Sequence, residues 1–162
     1  MPEPLRPIHS SLSLSTAEQI IDAALAVRRK ESMMAMVVAV LDAGGNLVAY
    51  KREDGSGVMR FDIAFGKAYA CLGMGMSTRL IRDRLAQRPV FQGALASVSD
   101  GRFVPVPGGV LILDAAGTAI GAVGISGDAS DKDEYCAIEA IRAAGLASEP
   151  VEPNPEWRAA GL

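Results

Sequence analysis

The stretch Phe61 to Met76 (FDIAFGKAYACLGMGM) is apolar almost all round at helical spacing. Such a pattern predicts a buried helix, here extended to about 58–76, because no side of it would tolerate water. Gly66 and Gly73, seven residues apart, share one strip of that helix with Asp62 and Tyr69. Glycine weakens a helix, so a pair at that spacing predicts another backbone lying close against it. Lys67 also interrupts the apolar pattern. From this stretch alone, the simpler reading is a lysine at the helix edge, stem packed and ammonium in water. The other reading is a cation lining a pocket.

Earlier in the chain, Ile20, Ile21, Ala24 and Leu25 form an apolar stripe that predicts a helix over about 15–31. Ser13 or Ser15 caps it, with Glu18 in capping-box position after Ser15, and Arg28, Arg29 and Lys30 favour its C-terminal end. The β-branched run Met34–Leu41 reads as a buried strand. Asp42–Asn46 (DAGGN) turns it back into Leu47–Arg52. Asp42 could be a site carboxylate, but a side chain that orders its own turn is the commoner use. After the central helix, Ser77 or Thr78 caps a short helix that Pro89 ends, and 89–102 reads as a poorly patterned connection with some helix. Phe103–Ile112 is a strand broken by prolines and Gly108–Gly109. Leu111–Leu113 and Ala119–Ile125 flank a second hairpin turn, Asp114–Thr118. A final helix follows over about 131–145, acidic in its first turn. Helix, hairpin, long helix, link, three short strands and helix make an α+β protein: an antiparallel sheet with helices on its faces. Residues 1–12 form an N-terminal arm, 13–147 one domain, and 148–162 a proline-rich tail. Trp157, the only tryptophan, is an anchor for a neighbouring surface.

Composition narrows the functional classes. The 162 residues are 49% hydrophobic and 22% charged, with a net charge of −3, as in a globular domain. No basic cluster suits a nucleic acid, and no run has the length of a membrane span. The opening residues lack the apolar core of a signal peptide, which makes the cytoplasm the expected location. Cys71 and Cys136 lack metal-ligand spacing and read as reduced core residues. His9, the only histidine, lies in the arm, so neither a histidine triad nor a histidine-rich metal site is expected.

Two segments could hold a ligand. Pro105 and Pro107 place Val104–Gly109 at an edge or bulge, where the Gly108 and Gly109 N–H groups could form an anion-binding nest. An ordinary bulge is the equal alternative. Ser126–Glu134 opens the last helix, where capping by its own acids is the better reading, and Glu134 is a candidate acid or base.

The stretches LDAGGNLVAYKREDGS (41–56), FDIAFGKAYA (61–70), VPVPGGVLI (104–112) and GAVGISGDASDKDE (121–134) together resemble the GlcG/HbpS family, in its order and at its spacing. The resemblance implies a profilin-like α/β/α fold around a five-stranded antiparallel sheet. It also implies a symmetric homo-oligomer and a role in a catabolic pathway, with haem as a ligand of some members. Asn46 stands where members commonly carry histidine, and Ala70 where threonine is common. With His9 as the only histidine, haem would have to use Tyr69, Cys71 or a methionine. Two readings follow. One is a small-molecule-binding protein, for haem or another ligand. The other is an enzyme that moves a proton on a small anionic carbonyl metabolite, as an isomerase, tautomerase or lyase. In that reading Lys67, Pro107, Gly108 and Gly109 hold the anion, and Asp62, Lys67, Tyr69 and Glu134 are the catalytic candidates.

Overall fold

Strand β1 (Val37–Asp42) is buried on both faces, and its alternation sorts the core into two layers. Val38 and Val40 face one layer, while Val37, Ala39 and Leu41 face the other. β1 pairs with β2 (Leu47–Arg52) on one side and with β4 (Ala119–Ser126) on the other. β3 (Gly109–Leu113) pairs with β4 and with β5 (Ala147–Glu149). All pairs are antiparallel, in the order β2-β1-β4-β3-β5. The computed structural model describes Met1 and residues 3–162.

Helices α1 (Leu14–Lys30) and α5 (Ser130–Ala143) cover the Val38/Val40 face. Ile20, Ile21, Ile138 and Ile141 fill the layer between them and the sheet. Ser13, not Ser15, caps α1: its hydroxyl accepts from the Thr16 N–H at 3.1 Å, and Glu18 stays exposed. The central helix α2 (Arg60–Met74) covers the opposite face. It lies low because small residues meet small residues: a β-carbon on Gly124 would overlap the Ala64 carbonyl. Burial all round is not what α2 shows. Its Ala64, Ala68 and Cys71 side is covered, while Phe61, Phe65 and Tyr69 form a half-buried ladder and Asp62 and Gly73 are exposed. Gly66 does meet another backbone, accepting from the Val104 N–H at 3.3 Å. Gly73 meets none.

Both hairpin turns use the same chemistry. Asp42 Oδ1 accepts from the Gly44 and Asn46 N–H groups, and Asp114 Oδ1 from those of Ala116 and Thr118. Asp42 is thus a turn residue. Ser77 caps α3 (Thr78–Leu85). Pro89 then opens a further helix, α4 (Pro89–Val98), which the sequence only half suggests. Proline suits a first helical position because its missing N–H would have no partner there. Gly93 and the β-branched Val90 and Val98 weaken the helical signal of that segment. β5 falls where the proline-rich tail was expected to begin. Trp157 is also buried within its own chain, stacked on Tyr135 of α5 at 3.7 Å between ring centroids.

Candidate functional site

Lys67 sits inside the protein, so the edge-lysine reading is corrected. It is 2% exposed, and its Nζ donates to the Ile125 carbonyl at 2.8 Å and to Asp133 Oδ2 at 3.1 Å. Asp133 lies in the first turn of α5. Its carboxylate also accepts from the Asp128 N–H at 3.0 Å and the Gly127 N–H at 3.4 Å. One carboxylate therefore closes the β4–α5 loop and holds the α2 cation. Burial pulls the Lys67 pKa down and Asp133 opposes that; burial pushes the Asp133 pKa up to about 6 against the pull of Lys67.

Glycines create the space for this pair. Gly108 has φ +119°, and a β-carbon there would stand 2.7 Å from Lys67 Nζ and 2.9 Å from the Ile125 oxygen. At Gly109 it would stand 2.5 Å from the Lys67 carbonyl oxygen and 2.8 Å from Cys71 Sγ. The paired-donor nest is not formed as expected, because the Gly109 N–H donates to Thr78 Oγ1 at 2.9 Å. Nor does β3 lie at the sheet edge: β5 covers it, and Pro105 and Pro107 precede the ladder. The reason is tertiary, since α3 brings the Thr78 hydroxyl to that N–H and β5 supplies the outer strand.

Glu134 is fully buried, and neither of its carboxylate oxygens has a hydrogen-bond partner. Arg79 Nε approaches Oε2 to 3.4 Å. Burial pushes the Glu134 pKa up to about 7, against the attraction of Arg79 and reinforced by Asp131. The charges of Glu134 and Lys67 are close enough to influence one another. Lys67, Gly108 and Asp133 are in contact, and Glu134, the next residue of α5, faces Arg79. Asp133 was read from sequence only as a helix-capping acid, and nothing in the sequence links it to a lysine 66 residues away.

The remaining candidates lie elsewhere. Asp62 is exposed on the first turn of α2, about 140° round the helix from Lys67. Tyr69 points to the far side, where Arg102 stacks on its ring at 4.3 Å. There it borders one cavity of about 200 Å³ with Met74, Leu95 and Phe103, and another of about 150 Å³ with Ala43, Gly44 and Gly45. Pro107 is buried next to Gly108.

These residues do not fit an enclosed haem in a single chain. His9 is exposed in the arm, both cysteines are buried with pKa values pushed up by desolvation, and Met33 packs on Cys136. The cavities beside Tyr69 are smaller than the roughly 300–1,000 Å³ of ordinary ligand pockets.

The fold and the buried ionic region define a three-layer α/β/α domain with a polar centre between its helical layers. The chain belongs to the family described as haem-degrading protein HbpS-like, whose model matches residues 12–142. A 15.0 kDa protein from the dhaT–dhaS intergenic region of Citrobacter freundii is 30% identical over 132 residues, spanning 82% of this chain and 91% of that protein. Among solved structures, the ORFY protein of Klebsiella pneumoniae superposes with a TM-score of 0.75 at 25% identity, covering 90% of this chain and 97% of the other. A PduOC–haem complex superposes with a TM-score of 0.74 at 26% identity, covering 85% and 98%.

Proposed function

We propose that this protein is a self-associating, small-molecule-binding member of the HbpS-like family, with an anionic ligand held where Val104–Gly108 crosses Lys67. One observation carries the reading: a lysine, an aspartate and a glutamate whose oxygens accept no hydrogen bond are buried where apolar side chains of similar volume would serve the fold at least as well. Groups that cost stability in this way are expected at functional sites. Lys67 supplies the charge, Gly108 leaves room for its ammonium beside Asp133, and Pro107 stiffens the segment next to both. Haem is bound in the PduOC complex, but the residues of this chain offer it no internal histidine.

A second reading, proton transfer on a small anionic carbonyl compound, is favoured by Glu134. A buried carboxyl with a pKa near 7 can both give and take a proton at neutral pH. In that reading Lys67 binds the anion and Glu134 moves the proton, whereas Asp62 and Tyr69 are too far round α2 to share the task.

The test is a melting-temperature screen at pH 7 with short mono- and dicarboxylic, 2-oxo and 2-hydroxy acids, alongside a hemin titration followed by absorbance. At least one acid should raise the melting temperature of the wild type and not that of a Lys67→Met/Asp133→Asn variant. Hemin should give no sharp Soret shift. Stoichiometric hemin binding with no response to any acid would overturn the proposal.

A further inference from the structure

Arg60 is the first residue of α2 and lies two turns before Lys67, so both cations share the stripe that faces β4. Ala64, between them, meets Gly124. Lys67 reaches the Ile125 carbonyl, and Arg60 Nη1 donates to the hydroxyl of the next residue, Ser126, at 3.2 Å. Burial first, and then the nearby Arg60 charge, pull the Lys67 pKa down. The other charges of the region are matched: Asp133 pairs with Lys67, Glu134 faces Arg79 and Asp128 faces Lys132. Arg60 has no carboxylate partner among the described residues. The stripe therefore ends in an uncompensated positive charge.

The fold gains nothing from that charge. A cation in the first turn opposes the helix dipole. Asp62, the acid of that turn, projects about 160° round the helix from Arg60. No side chain caps α2, so its first N–H groups and the guanidinium both attract an anion. Beside Arg60 runs an open cavity of about 470 Å³, lined by Gly57, Val58, Met59, Arg60 and Ile63. That volume is within the range of small-molecule sites. Apart from Arg60, its side chains are apolar.

We propose that this cavity takes a carboxylate with an apolar body, its carboxylate on the Arg60 guanidinium and its body along Val58, Met59 and Ile63. The inference rests on the anionic-ligand reading above and names the group that meets the ligand. Lys67 is buried and matched by Asp133, whereas Arg60 is half-buried and borders the cavity. The buried pair still matters to the site. Lys67 holds Ile125 on one side of Ser126, and Asp133 holds Gly127 on the other, so together they set where Arg60 is anchored.

The test titrates the full chain by calorimetry at pH 7 with acetate, butyrate and hexanoate, and with hexanamide and hexylammonium as neutral and cationic counterparts. Affinity should rise from acetate to hexanoate, and neither counterpart should bind. Arg60→Gln should weaken hexanoate binding roughly tenfold or more, and Arg60→Lys should keep part of it. Without ligand, Arg60→Gln should melt no lower than the wild type, because it removes a cation from the first turn of α2. Met59→Ala should weaken hexanoate binding and leave acetate unchanged. Hexanoate bound equally by Arg60→Gln and wild type, but lost in Lys67→Met/Asp133→Asn, overturns this site and leaves an anionic ligand at Lys67 standing. So does hexanamide binding as tightly as hexanoate while another acid of the melting screen responds to the Lys67 pair. No response of the wild type to any acid overturns both.

Discussion

Replacing Lys67 with methionine separates the lysine's charge from its bulk. Methionine fills nearly the same volume, so the packing between α2 and the sheet survives. What disappears is the ammonium between the Ile125 carbonyl and Asp133. Asp133 is then a buried carboxylate with two backbone donors and no counter-ion. Removing one partner of a buried pair costs roughly 3–5 kcal/mol, and the surviving N–H donors put this case near 3. The loss depends on pH. Lys67 restrains the rise of the Asp133 pKa, which stands at about 6 in its presence; without Lys67 the value rises further. A carboxyl with a raised folded-state pKa costs stability as pH rises from its unfolded value, near 3.8, to the folded one, and the cost is constant above that, so the extra cost of removing Lys67 develops above about pH 6. The deficit of Lys67→Met should therefore be about 3 kcal/mol at pH 8 and clearly smaller at pH 5. Urea denaturation followed by Trp157 fluorescence at fixed protein concentration measures both. A deficit below about 1 kcal/mol at pH 8, or one equal at the two pH values, would refute the claim that the pair is charged and buried.

Three further outcomes follow from the same region. Glu134→Gln removes an ionisation that burial shifts from an ordinary value near 4.5 to about 7, a change equivalent to roughly 3 kcal/mol. Wild-type stability should fall as pH rises across that window, and Glu134→Gln should lose this slope and melt higher than the wild type at pH 8; parallel pH profiles would contradict it. Gly109→Val should lower the melting temperature sharply with or without ligand, because its β-carbon meets the Lys67 carbonyl backbone; a wild-type melt would show that α2 can move aside. The double variant Lys67→Met/Asp133→Asn should regain part of the stability lost in Lys67→Met at pH 8, and no recovery would place the cost of the single variant outside the ion pair.

Periodicity alone located the three long helices, the apolar strand β1 and both Asp-centred hairpins, because these depend on local burial patterns and on turn chemistry within five residues. The four collinear motifs pointed to the family for the same reason, being local strings in a set order. Lys67 and Gly108 were legible as interruptions, since each breaks a local rule at a visible cost. The sequence could not show what completes them. Asp133 reaches Lys67 only because α5 returns across the end of β4, and a helix-capping acid looks the same in sequence whether or not a lysine lies beneath it. The Gly109 N–H looked free for a ligand because its partner, the Thr78 hydroxyl, comes from a different helix. β5 carries too few residues to display a period, and it is a strand only because β3 offers it an unpaired edge. Trp157 read as an anchor for another molecule, yet Tyr135 of the same chain supplies its surface. Periodicity records which side of an element is buried; only the packed chain determines which residue lies on the other side.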